Sequence, residues 1–299
     1  MYRTSVIVRH TFREVVVQPI YSLLIGLGVA ILIIFGLLPF FTLGEDTVMF
    51  KAVGLDVILL LVLIATLFAT SKSIFDEIED RTMLTLMSKP VRKWEVLAGK
   101  YLGIVLAAGV AVGILGAVLI LATYWRIPGD YMIRATSLDD RELRTLYETR
   151  MMHIMGLVPS LFLVWLQISV LAAIGVALST RFSLVVNLPV VIILYIAGNL
   201  ARFLFPIADG AGVVYKAFAW GISTLLPYLE IFDLRQRTVY AKIALPGTQF
   251  ANEKFGTVEL SQIWIYVGMA LVYAAVYALF ALSAGMWIFQ NRELGGGEG

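Results

Sequence analysis

Residues 20–41 read IYSLLIGLGVAILIIFGLLPFF, a run without one charged side chain. A helix that crosses the hydrocarbon core needs about 20 apolar residues. In lipid its backbone must also satisfy its own hydrogen bonds, which a helix does. The run therefore predicts a membrane-spanning helix. It is too long for the core of a signal peptide and lacks a clear small-residue cleavage site, so it reads as a retained span. The same pattern recurs further along, at about 52–74, 96–124, 154–178, 184–205 and 262–289. The uncharged stretch Val57–Thr70 forms the centre of the second. The expected fold is an all-α integral membrane protein, one transmembrane domain of six helices over residues 1–299.

Composition agrees. Hydrophobic residues make up 60% of the chain and charged residues 15%, against about 45–50% and about 25% in soluble domains. Mean hydropathy is +0.88. A net charge of +2 without any Lys/Arg tract offers no nucleic-acid surface. Cysteine is absent, which excludes disulfides, thiolate-bound iron–sulfur clusters and thiolate zinc sites.

The segments between the apolar runs differ. Residues 1–18 mix Arg3, Arg9, His10 and Arg13 with Val6, Ile7, Phe12, Val15 and Val16, the pattern of an amphipathic helix on the membrane surface. Pro19 then permits a turn into the bilayer. Residues 75–95 are charge-rich; Glu77 and Arg81 stand four apart, a spacing that supports a helix, and Pro90 ends it. The third span carries two GxxxG pairs, Gly99/Gly103 and Gly109/Gly113. Such pairs allow close helix approach in lipid, or they reflect the higher glycine content of membrane helices. Residues 125–153 are polar, with five arginines against five carboxylates. Residues 206–261 form a long connection; its part 213–229 is apolar but short and reads as a re-entrant or interfacial helix, or else as a seventh span.

The distribution of Lys and Arg sets the expected orientation. Lys72, Arg81, Lys89, Arg92, Lys93 and Lys100 cluster around 75–95, Arg181 lies in the link 179–183, and Arg292 in the tail. Both termini and 75–95 are then expected in the cytoplasm, and 125–153 and 206–261 outside.

One segment resembles a known pattern. Glu77, Glu79, Asp80 and Arg81-Thr82 are followed by an apolar stretch to Met87, by Lys89-Pro90-Val91-Arg92, and by Gly99-Lys100. This resembles the membrane subunits of ABC-2 type ATP-binding-cassette exporters (type V exporter-like). There an acidic helix end precedes a Gly-Thr-like step, an apolar helix, a Pro-Val-Ser-Arg-like break and a Gly-Lys opening the third span. Arg81 stands where a glycine is common. The chain most resembles the permease subgroup tied to multicopper enzyme maturation, including that of nitrous oxide reductase. The resemblance implies a permease of the cytoplasmic (inner) membrane that works with a separate ABC ATPase, which binds ATP and Mg, and with a second permease copy or a homologous permease as a dimer. It implies that 75–95 docks on the ATPase: Ile78, Thr82 and Leu86 fill a groove, while Glu77, Glu79, Asp80 and Arg92 set the register, with Arg81 and Pro90 also among the coupling residues. Charge complementarity of this kind gives specificity.

Other chemistry is missing from the sequence. The single Gly-Lys, Gly99-Lys100, is followed by Tyr101 and does not fit a P-loop, so no enzymatic activity or cofactor is expected of this chain itself. The cluster Met151, Met152, His153 and Met155 offers soft ligands suited to Cu(I), but methionines at a helix entrance commonly serve packing. A second reading makes the chain a membrane scaffold or assembly factor for an extracytoplasmic protein. A secondary transporter is disfavoured by the absence of intramembrane charge and of an inverted repeat.

Overall fold

A computed structural model describes residues 2–38, 46–79, 92–130, 140–204, 226–244 and 257–290. The helices are α1 (Tyr2–Val17), α2 (Pro19–Leu37), α3 (Asp46–Glu79), α4 (Lys93–Asp130), α5 (Asp140–Ser179), α6 (Leu184–Leu204), the single turn α7 (Arg235–Thr238) and α8 (Leu260–Gln290). A 3-10 turn covers Leu229–Phe232, and two short strands, β1 (Lys242–Ala244) and β2 (Thr257–Glu259), pair in parallel.

Five of these helices are long and apolar enough to cross a membrane: Pro19–Leu37, Asp46–Lys72, Lys93–Pro128, Glu142–Ser179 and Leu260–Gln290. The apolar part of α6, Leu184–Leu200, is shorter. The expected count of six thus rests on α6, and the possible seventh, 213–229, falls mostly outside the described residues. Several helices run past the apolar runs that announce them. Lys93–Pro128 has 36 residues, about 54 Å of helix against a hydrocarbon core of about 30 Å. Much of 125–153 is accordingly carried in the extended ends of α4 and α5, and Lys51 stands within α3.

Burial separates centre from periphery. In the apolar windows of α3 and α5, 67% and 72% of residues are buried, against 17% in α2 and 28% in α8. A helix apolar all round but buried on one side turns its remaining surface to lipid or to another subunit. The main core joins α3, α4 and α5 through Leu55, Ile58, Ile104, Ala108, Leu115, Leu157 and Ile168. A second core joins α5 to α8 and to the 3-10 turn through Leu163, Val170, Phe232, Ile263 and Val267.

The chain enters along α4. Gln18 is extended and Pro19 occupies the first turn of α2, where a missing N–H is harmless. This break lets α1 and α2 follow α4 in succession. Ile7 lies against Gly99, the Tyr21 hydroxyl donates to the Ala107 carbonyl at 2.8 Å, and Gly28 meets Leu115. At the far end Arg126 donates to the carbonyls of Phe35, Gly36 and Leu38, satisfying acceptors that the end of α2 leaves open.

Candidate functional site

Two places on the bundle gather polar groups from distant parts of the chain. The first is the start of α4, residues 92–100. The backbone N–H of Arg92 donates to the Glu95 carboxylate at 3.0 Å. That is one half of a capping box, and it starts the helix after the Pro90 break. The next residue, Lys93, donates to the Phe289 carbonyl near the end of α8 at 3.1 Å, and its ammonium lies 4.9 Å from the Phe289 ring centre. Lys100 is only 2% exposed and pairs with Glu77 of α3 at 2.8 Å. A carboxylate partner offsets much of the cost of burying an ammonium in an apolar bundle.

The same turns of α4 seat α1. A Cβ on Gly99 would stand 2.7 Å from Ile7 Cγ2, and one on Gly103 would stand 2.9 Å from the Val8 carbonyl oxygen. The backbones of α1 and α4 approach closely here because these glycines lack side chains. The second GxxxG pair behaves differently: Gly109 faces the Trp165 indole, while Gly113 has nothing within 4 Å. Residues 92–100 therefore hold α1, α3 and α8 at one point.

Of the expected coupling residues, Glu77 and Arg92 belong to this junction. Ile78 and Glu79 fall in the last turn of α3, and Asp80, Arg81, Thr82, Leu86 and Pro90 lie outside the described residues. The expected Glu77–Arg81 pair thus has no described geometry, whereas Glu77 reaches Lys100. The roles of Lys93 and Lys100 were not read from sequence; a carboxylate ending one apolar run and an ammonium opening the next was the available signal.

The second place is the opposite end, where residues 226–244 enter the bundle. Lys51, 2% exposed, donates to the Val239 carbonyl at 3.2 Å. Asp56 pairs with Arg235 at 2.7 Å, and the Ser160 hydroxyl donates to Thr238 at 2.7 Å. Gly156 leaves room for the Thr238 carbonyl, and Gly198 for that of Pro227. The residues of the soft-ligand cluster lie nearby. Met152 packs in the core with Leu163 and Phe232, Met155 packs against it, and Met151 is half-buried. His153 is buried.

Residues 47–294 match the family described as ABC-2 family transporter protein. The chain belongs to the ABC-2 transporter family. Among curated proteins no match is found. Membership makes this ABC-2 protein a multi-pass permease component of an ABC transporter and implies an ABC ATPase partner. The junction at 92–100 and the inserted segment 226–244 both lie within the matched range.

Proposed function

We propose that this ABC-2 permease exports a substrate across the cytoplasmic membrane, driven by ATP hydrolysis in its partner ATPase, with the segment around 75–95 receiving the ATPase's motion. The observation that carries this reading is the junction at the start of α4. Force applied between the end of α3 and the start of α4 meets the Glu77–Lys100 pair, the Lys93–Phe289 contact and the Gly99/Gly103 seat of α1. A push there moves α1, α3, α4 and α8 together instead of bending one loop.

In this reading α6 completes six spans, both termini and 75–95 face the cytoplasm, and two permease subunits enclose the path. Ile78, Thr82 and Leu86 fill a groove on the ATPase, with Glu79, Asp80 and Arg92 around it. ATP and Mg are held by the ATPase alone. The sparse burial of α2 and α8 leaves each a long apolar surface, to be covered by lipid or by the second subunit of this reading. Multicopper enzyme maturation is the substrate context the resemblance favours, with an extracytoplasmic protein as recipient.

The test is purification of the tagged chain from its native membranes in mild detergent, with mass spectrometry of the associated proteins. A stoichiometric P-loop ATPase is expected, and replacing Glu79 and Arg92 together with Ala lowers its stimulated hydrolysis while the bundle stays folded. Unchanged transport-coupled hydrolysis in that variant removes the docking role. A stable extracytoplasmic companion without any ATPase replaces the exporter with a scaffold.

A further inference from the structure

Between α1 and the outer face of α4 runs an open apolar groove of about 770 Å³. Its floor is Leu102, Leu106 and Val110, all exposed and one helical turn apart. That spacing gives about 12 Å of continuous apolar surface along α4. Its wall is Val8 and Phe12 of α1. Its mouth is polar and amphipathic: Arg9, the hydroxyl residues Thr4 and Ser5, and the exposed indole of Trp94. Arg9 is exposed and forms no ion pair among the described residues, whereas neighbouring Glu14 lies 3.9 Å from His10.

We propose that this groove is a binding site for one anionic phospholipid. An acyl chain lies along Leu102, Leu106 and Val110, and the headgroup phosphate meets the Arg9 guanidinium with the hydroxyls beside it. Three features select a phospholipid over a protein helix, and an anionic headgroup, which brings no cation of its own to oppose Arg9, is favoured over a zwitterionic one. The apolar floor is parallel to a membrane-crossing helix, so it runs in the direction of the acyl chains. The cation stands at one end of that floor instead of along it, which matches a molecule charged at one end. Guanidinium forms paired, charge-assisted hydrogen bonds with phosphate oxygens, and Trp94 is the side-chain type that settles at the headgroup level. Such a lipid also braces α1 against α4, filling the side of their contact that the Gly99/Gly103 seat leaves open. The site is independent of the ATPase reading.

The experiment uses the full chain in an uncharged detergent. Phosphatidylglycerol and phosphatidylcholine of equal chain length are titrated and counted by native mass spectrometry, and inorganic phosphate is added separately in a thermal-shift assay. One basic side chain at a membrane surface corresponds to a preference for the anionic lipid of about fivefold. The wild type should show that preference, Arg9→Gln should abolish it, and Leu106→Trp, which fills the floor, should weaken both lipids. Arg9 and Leu106 are exposed, so both variants are expected to fold. Equal binding of the two lipids by wild type overturns the proposal, as does an undiminished preference in Arg9→Gln or undiminished binding in Leu106→Trp. Stabilisation by inorganic phosphate equal to that by the lipid makes it a free-anion site. Loss of a dimer in Leu106→Trp, with lipid binding intact, makes the groove a contact with a second copy.

Discussion

Replacing Glu77 with Gln should destabilise the bundle far more than replacing its partner. Lys100 is 2% exposed, while the Glu77 side chain keeps 24% of its surface. Breaking a buried ion pair by removing one partner costs about 3–5 kcal/mol, because the other charge is left buried. In Glu77→Gln that stranded charge is the Lys100 ammonium, which has no route to water without leaving the core. A neutral amide still offers it a carbonyl oxygen, so the lower end, about 3 kcal/mol, is expected. In Lys100→Met the Glu77 carboxylate loses the lysine from a side chain that keeps 24% of its surface, and the new side chain fills the space. About 1 kcal/mol is expected there. The double variant should resemble Lys100→Met, since it leaves no buried charge. The assay is reversible denaturant unfolding in micelles of wild type, both single variants and the double variant, read as a double-mutant cycle. A Glu77→Gln variant within about 0.5 kcal/mol of wild type would show that Lys100 gains nothing from Glu77. A double variant less stable than Glu77→Gln would refute the argument from stranded charge.

Gly103 and Gly113, one from each GxxxG pair, should respond in opposite senses. Gly103→Ala drives a methyl to 2.9 Å from the Val8 carbonyl oxygen, a backbone atom that cannot rotate away, and should cost about 1–3 kcal/mol with faster proteolysis of α1. Gly113→Ala meets nothing within 4 Å and should raise the unfolding temperature through its better helix propensity, about 0.5–1 kcal/mol. Lys93→Met removes the 3.1 Å bond to Phe289 and should cost about 1 kcal/mol, with faster amide exchange confined to the last turn of α8. Lys51→Met removes a buried ammonium and leaves the Val239 carbonyl without its donor. The two effects oppose each other, so its unfolding free energy should stay within about 1 kcal/mol of wild type. A loss as large as that expected for Glu77→Gln would reveal an anionic partner for Lys51.

The crossing segments were legible because hydropathy is a property of each residue and sums along the run. Their ends were not, because a helix continues through polar residues when its last turns stand in water or against another element. Arg126 and Arg150 illustrate this: both read as loop charges, yet one caps the end of α2 and the other lies 3.8 Å from the Tyr124 ring centre. Helix contacts were legible only as motif. Gly99/Gly103 and Gly109/Gly113 have identical spacing, and only the first pair meets another backbone, since spacing says that a face is smooth and not which helix lies on it. The candidate site depended on pairing in the same way. Lys51 and Lys100 look alike in sequence, each a lone lysine flanking an apolar run, and in the fold both are 2% exposed. One is answered by a carboxylate and the other by a peptide carbonyl. A carboxylate is itself held by its helix, so the Glu77–Lys100 pair fixes α3 to α4 in register. The Val239 carbonyl gives Lys51 a single bond, and the 226–244 segment is fixed to the bundle by further contacts as well, the Asp56–Arg235 pair and the Ser160–Thr238 bond.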